Sequence, residues 1–418
     1  MERYDLLYRL YDEFDAGTLR ELQEFVDLFP PVDSRTALDY WDDAREALAE
    51  RKAEVRAAVA HGDVYAEVLA RAAREEAFTA LDLHSKHGRG FDALVLDVDE
   101  TLRSAGRTDN EIPRDTLYLL RAFHEAGVPL VVCTGQTLEN VKGFAIQGLG
   151  NELVHSGDLS IVYEAGAGVF TPGHGSDTKR LLYEDLDESV RGVFDDVRTR
   201  VLREAPEDLR RGLHLQGNEF NVTLKPNFDV GSEAAGDVVD RGLVYLLDLL
   251  GDCLAARVDA DDAGDVDAGA AARAFYAAAD PEIADVLASR GAEPDLAAAA
   301  VPAALAARFE RVDVAYYHAD AAEVSSLELD KVVGVEAALS VLDVADAFVL
   351  VMGDSKSDLR VMEWAAERDR GVAAAPTHAS ADVLDHVRAT DELVFERGDA
   401  ASVLRTAYVV NLLASLDE

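Results

Sequence analysis

Three short apolar runs constrain this chain more than any other feature. They are Leu94-Val95-Leu96, Pro129-Leu130-Val131-Val132-Cys133 and Ala347-Phe348-Val349-Leu350-Val351-Met352, each giving way to polar residues or glycine at its carboxyl end. A short run without polar interruption reads as a strand buried on both faces, the habit of parallel sheets covered by helices. Each run stops at groups that can do chemistry. Asp97 and Asp99 follow the first, Thr134 and Gly135 the second, and Gly353, Asp354, Ser355 and Asp358 the third. In open α/β sheets, ligands bind at the carboxyl ends of strands. From residue 91 onward strands alternate with helices, at 114–126 with Gly127 as stop and at 138–147 before Gly148. That alternation predicts an α/β fold with right-handed crossovers and a mostly parallel sheet.

The residue types at these strand ends suit phosphoryl chemistry. A carboxylate there can attack phosphorus and form an aspartyl-phosphate. A second carboxylate two residues on can move the proton the leaving group needs. A threonine hydroxyl and a glycine N–H can grip phosphate oxygens. Lys331 opens the amphipathic stretch 332–342 just before the third run, and lysine is scarce here, seven in 418 residues.

As an ordered set, Asp97-Val98-Asp99-Glu100-Thr101-Leu102, Thr134-Gly135, Lys331 and Gly353-Asp354-Ser355-x-x-Asp358 resemble the four motifs of the haloacid dehalogenase-like (HAD) hydrolase superfamily. The last form most resembles the Cof-type, sugar-phosphatase-like branch, as does the turn Glu164-Ala165-Gly166-Ala167 after the strand 160–163. The resemblance spans roughly residues 91–413. It implies a Rossmann-like parallel-sheet core with an inserted cap, and a Mg²⁺-dependent hydrolase of a small phosphorylated metabolite such as a sugar phosphate or a phosphoglycolate-like ester. It also implies roles. Asp97 is the nucleophile and Asp99 the general acid and base. Thr134, Gly135 and Lys331 hold phosphate oxygens. Asp97 and Asp354 give the metal carboxylate oxygens and Asp99 its backbone carbonyl, while Asp358 orients a metal-bound water. A phosphomutase or phosphotransferase would use the same Asp97, and a binding or scaffold protein with a vestigial core is the reading from another class. The sequence departs from the family pattern at Glu100, where glycine is commoner, at Gln136, where arginine often stands, and at Ser357, where asparagine is usual.

Charge excludes some functions. The chain carries 81 Asp and Glu against 40 Lys and Arg, a formal charge of −41. This argues against nucleic acid, which needs Lys and Arg to neutralise phosphates, and against anionic membrane surfaces. Spread acidity with few lysines resembles a protein of a halophile that tolerates high internal salt. Two cysteines, Cys133 and Cys253, imply no disulfide framework. No apolar stretch reaches the length of a membrane span, and Met1-Glu2-Arg3-Tyr4-Asp5 lacks a signal peptide's apolar centre. The expectation is a cytoplasmic protein.

Four segments follow in order: an all-helical region at 1–88, the first part of the core at 89–170, an α+β cap at 171–328 resembling type IIB, and the rest of the core at 329–418. In the first, apolar residues recur at helical spacing, Pro30-Pro31 stops a helix, Asp33-Ser34 caps the next, and one helix spans 64–83. Residues 84–90 read as a linker in which His84 and His87 lack metal-binding companions. These helices either complete the core or offer a surface for homo-oligomerisation. In the cap, Gly217-Asn218 reads as a two-residue hairpin turn that would set Leu215 beside Phe220 and Leu213 beside Val222. The other face of that hairpin carries His214, Gln216, Glu219, Asn221 and Thr223, and His214, Glu219 and Asn221 are the candidate substrate contacts. The acidic, alanine-rich stretch 259–301 reads as part helix and part flexible insertion.

Lowering salt lengthens the Debye length from about 3 Å at 1 M to about 10 Å at 0.1 M, so self-repulsion grows. Dialysis to low salt should lower the melting temperature and helical circular dichroism. An unchanged spectrum and melting point would remove the high-salt reading.

Overall fold

A computed structural model describes residues 2–29, 35–103, 111–259, 262 and 264–417. The Pro30-Pro31 stop and the Asp33-Ser34 cap lie outside the described residues, as do positions 260, 261 and 263 of the acidic stretch.

The three apolar runs become central strands of one sheet. In chain order its strands are β1 (Ala93–Asp97), β2 (Leu130–Cys133), β3 (Leu159–Tyr163), β4 (Gly168–Phe170), β5 (Lys179–Leu181), β10 (Val349–Met352), β11 (Gly371–Pro376) and β12 (Leu393–Phe395). Four cap strands intervene: β6 (Leu213–Leu215), β7 (Val222–Pro226), β8 (Val312–Tyr317) and β9 (Ala321–Ser326). The large sheet runs β12-β11-β10-β1-β2-β3-β4-β5, parallel from β12 to β3 and antiparallel beyond. The chain winds outward from β1 through β2 and β3, then returns to β1's other side with β10. A crevice therefore opens at the carboxyl ends of β1, β2 and β10, where the direction of winding changes. The sheet also takes in β5, past residue 171 where the insertion was expected to begin, because β5 hydrogen-bonds β4.

Side-chain alternation covers both faces. Leu94, Leu96, Leu130, Val132, Leu350 and Met352 join one apolar cluster. Val95, Val131, Cys133, Val349 and Val351 join another with the helices Lys331–Val341, Lys356–Glu367 and Ala381–Ala389. The first cluster also contains Leu7, Leu10, Leu19, Leu69 and Leu81, so the N-terminal apolar stripes pack on the chain's own core. They do so through the last helix, Ala400–Ala414, which lies against Arg74–His87.

Two details of this region differ from expectation. The helix foreseen at 64–83 is two helices, Gly62–Arg71 and Arg74–His87. Ala72 is extended between them; its carbonyl accepts from the Tyr11 hydroxyl (2.9 Å), and the Glu76 carboxylate accepts from Ala73 N (2.6 Å). The break is made by one distant partner, Tyr11, and one local cap, Glu76, with neither glycine nor proline to mark it. The foreseen linker at 84–90 is helical as far as His87, and buried His84 bonds Asp417 (2.9 Å).

The cap has its own apolar core, built on the sheet β6-β7-β9-β8 with the helices Glu188–Val201 and Ser232–Ala255 and the helices Ala268–Ala279 and Pro281–Ser289 within the acidic stretch. The hairpin at 213–226 exists, but its register differs. Leu213 pairs with Pro226 and Leu215 with Leu224, a shift of four residues that leaves 216–221 as a loop. The reason lies in what that loop binds, described below. Among the described residues no helix is long and apolar enough to cross a membrane.

Each fully buried aliphatic side chain contributes about 1.5–3 kcal/mol, and the N-terminal helices bury many against the core. A chain beginning at Arg89 should therefore be insoluble or lack a cooperative melt. A sharp melt within a few degrees of the full chain would show that the helices are dispensable.

Candidate active site

The crevice gathers the groups that end the apolar runs. Asp97 closes β1 and is 7% exposed. Lys331 is the first residue of its helix, whose amino end is capped by Asp330 accepting from Val333 N (3.0 Å). The Lys331 Nζ donates to Asp97 Oδ1 (2.8 Å) and to Asp358 Oδ1 (2.6 Å). Close backbone packing places this lysine. A Cβ on Gly166, whose φ is +107°, would lie 1.9 Å from Asp330 O, and one on Gly334 would lie 2.3 Å from Val162 Cγ1. The Glu164-Ala165-Gly166-Ala167 turn is thus the surface against which the Lys331 helix rests.

Asp97, Asp354 and Asp358 each present an oxygen within 4.8 Å of the others, the one such group of metal-ligating side chains among the described residues. Asp358 is held at the start of its helix, where Oδ2 accepts from Ser355 N (3.1 Å) and Ser355 Oγ (2.6 Å). With Lys331 on its other oxygen it is fully engaged, whereas no side chain among the described residues hydrogen-bonds Asp354. Burial pushes the Asp97 carboxyl well above the ordinary carboxylate range, against the pull of Lys331. Burial, then Asp358, pushes Asp354 up to about 6. For Lys331, burial works against the charge, but Asp358 and Asp97 outweigh it and hold the ammonium above its usual value. One lysine thus stands among three carboxyl groups, two of which resist ionising where they are, and a further cation would relieve that. Hard oxygen donors gathered in this way fit a divalent cation such as Mg²⁺.

Thr134 is buried at the tip of β2, and Gly135 beyond it is exposed. Two backbone bonds staple this tip to the next loop: Ala165 N donates to Thr134 O (3.0 Å) and Glu164 N to Gln136 O (3.0 Å). The Gly135 N–H is spent on no hydrogen bond among the described residues.

Asp99 sits on the loop after β1, its carboxylate between two donors. Arg103 Nε and Nη2 both donate to Oδ1 (2.9 and 2.7 Å), and Gln136 Nε2 donates to Oδ2. Glu100 has φ +59°, a conformation glycine takes freely and other residues take at about 1–2 kcal/mol. Its carboxylate is held by Arg397, and His378 Nε2 lies 3.2 Å away. Ser357 shares a hydrogen bond with Ser355 Oγ (2.9 Å).

The expected cap contacts are placed differently from the sequence reading. Glu164 is buried, and its carboxylate accepts the backbone N–H groups of Glu219 (2.5 Å), Phe220 (2.9 Å) and Asn221 (3.2 Å). From the cap side, Arg198 donates to the carbonyls of Asn218 (2.8 Å), Phe220 (2.6 Å) and Asn221 (2.9 Å). A core carboxylate and a cap guanidinium thus take the main-chain groups a longer hairpin ladder would have used, which sets the register shift. Glu219 is engaged with Tyr163 (3.0 Å) and Lys179, Asn221 Nδ2 donates to Glu164 O (3.1 Å), and His214 meets Asn227 (3.1 Å). Glu219 and Asn221 therefore belong to a tether between cap and core, not to the face of a ladder. The polar sheet face is carried by Thr223, whose hydroxyl donates to Glu323 (2.6 Å), and by half-exposed Tyr317 on β8. Arg103 and Arg198 carry no sequence signal of these roles. A register read from β7 and β9 together, not from the turn residues alone, would have exposed the loop.

No protein-family model and no curated protein matches the chain. Among solved structures it is similar to the trehalose-6-phosphate phosphatase of Aspergillus fumigatus, at 13% identity over 80% of this chain and 97% of that one, with a TM-score of 0.41. It is also similar to the TM0651 protein of Thermotoga maritima (14%, 76% of this chain, 97% of that one, TM-score 0.44). A third is a haloacid dehalogenase-like hydrolase from Bacteroides thetaiotaomicron (13%, 76% of this chain, 98% of that one, TM-score 0.39).

Burial raises the Glu164 carboxyl above its ordinary 4.5, although the three N–H groups pull it down. A carboxyl raised in the folded state contributes stability that is full below its unfolded value and lost as pH rises through the folded one. From pH 4.5 to 7, wild type should therefore lose stability relative to Glu164→Gln, measured by denaturant melts. A parallel pH dependence of the two proteins would contradict this.

Proposed function

We propose that this chain is a HAD-like phosphohydrolase that cleaves a small organic phosphomonoester through an aspartyl-phosphate. The observation that carries the reading is Lys331 bridging Asp97 and Asp358 beside Asp354, in a buried crevice at the strand tips where the phosphate-binding type residues Thr134 and Gly135 also end.

The chemistry follows from position and charge. Asp97 attacks phosphorus, the bond from phosphorus to the ester oxygen breaks, and Asp99 gives that oxygen its proton, so an alcohol departs. Water then attacks the aspartyl-phosphate, Asp99 takes its proton, and the bond from phosphorus to Asp97 breaks to release orthophosphate. Thr134, the Gly135 N–H and Lys331 hold the phosphate oxygens while charge spreads over them. Mg²⁺, held by Asp97, Asp354 and the Asp99 carbonyl with Asp358 behind them, would supply positive charge that lets an anion approach Asp97.

A screen of phosphorylated metabolites with Mg²⁺ in high KCl should find a substrate that releases inorganic phosphate. EDTA should stop turnover and Mg²⁺ restore it. Asp97→Asn should lose activity by at least about 10³-fold with its melting temperature kept within a few degrees, since an amide cannot attack phosphorus. Retained turnover in Asp97→Asn would remove Asp97 as nucleophile.

A further inference from the structure

The Gln136 side chain stands where the motif resemblance leads one to expect an arginine, and it reaches across from the tip of β2 to Asp99. We propose that Gln136 is a positioning residue for Asp99, aiming its carboxylate at the leaving-group oxygen. This rests on the reading of Asp99 as the proton carrier of a phosphomonoesterase.

Three observations support it. The first is the pair of donors on Asp99. Arg103 binds Oδ1 through both Nε and Nη2, and Gln136 Nε2 binds Oδ2. Arg103 comes from Asp99's own loop, four residues on, so alone it would hold the carboxylate along that loop. Gln136 comes from the loop that carries Thr134 and Gly135, and it draws the other oxygen toward the place where phosphate would be held.

The second is the rigidity of Gln136 itself. Its N–H donates to Thr134 Oγ1 (3.0 Å), and its carbonyl accepts from Glu164 N (3.0 Å). Both backbone groups are fixed, so the side-chain amide starts from a set point. Preorganised support of this kind is what keeps a reacting group within productive reach.

The third is the exposure of Asp99. Its side chain is 45% exposed, against 3% for Asp358 and 10% for Asp97. Packing therefore does not confine this carboxylate as it confines the others, and hydrogen bonds must do so. A neutral amide also leaves the carboxylate's charge less compensated than a second guanidinium would.

The test uses the full chain and two esters of differing leaving-group demand. A poor alkoxide leaving group needs a well-placed proton, whereas p-nitrophenolate departs without one. General acid catalysis is worth about 10²–10⁴-fold, so losing its aim should forfeit roughly 10–100-fold. Gln136→Met, which keeps length and loses the donor, should lower kcat/KM on an alkyl phosphate by that much, since kcat/KM reports only the steps up to formation of the aspartyl-phosphate. On p-nitrophenyl phosphate the loss in kcat/KM should stay under about threefold, while its kcat falls with the slower hydrolysis of the intermediate, for which Asp99 also moves the proton. If Gln136→Met melts at a lower temperature than wild type, Gln136→Asn is used for the same comparison, since its amide cannot reach as far. Equal losses of kcat/KM on the two esters in a folded variant, or wild-type kinetics on both, would overturn the proposal. The parent reading fails differently: wild type would then turn over neither ester.

Discussion

The ammonium of Lys331, set between Asp97 and Asp358, is the interaction on which the rest of the site depends. Carboxylates at neighbouring strand tips repel one another, and burial makes that repulsion costly. A single buried cation that touches two of them lets β1 and the loop after β10 converge. Lys331 can reach that place only because its helix lies flush on β3 and on the Glu164–Ala167 turn, at contacts where glycine alone fits. The helix packing and the electrostatics of the crevice are therefore one constraint. Such a bridge is weak evidence of stability, since desolvation offsets much of the attraction. Its value lies in fixing where the oxygens are.

Three positions that depart from the motif pattern turn out to be accommodated locally. Glu100 holds a left-handed conformation with help from Arg397, and His378 lies beside it. Ser357 bonds its neighbour Ser355. Gln136 meets Asp99 directly. Each departure is answered by partners within or beside the same crevice, so the chemistry-bearing groups keep their places while the residues around them differ.

The core was legible because its signal is local. Leu94 to Leu96 and Val349 to Met352 are buried on both faces, and the groups after them lie at strand ends by geometry alone. Thr134 and Asp354 could be placed by the same logic, whereas Lys331, at the start of a helix, was singled out by the motif order. The cap was less legible because its register depends on distant partners. Gly217-Asn218 has the composition of a tight turn, yet the chain there does not close one. The Glu164 carboxylate and the Arg198 guanidinium, each more than fifteen residues away in sequence, bind the main chain of 218–221 and outweigh the turn. The helix break at Ala72 has the same origin, in a tyrosine hydroxyl sixty-one residues away. Local propensity is a weak prior where long-range hydrogen bonds compete with it.

The tether between cap and core uses peptide groups and side chains for different ends. Glu164 accepts three N–H groups, which every amino acid but proline supplies, so these bonds set where the segment 219–221 docks. The side chains set which segment can dock: Glu219 meets Tyr163 and Lys179, Asn221 donates to the Glu164 carbonyl, and buried Phe220 stacks on Tyr183 and Phe194. A change of shape or charge on the cap is therefore borne more easily by the sheet beyond this segment than by the segment itself.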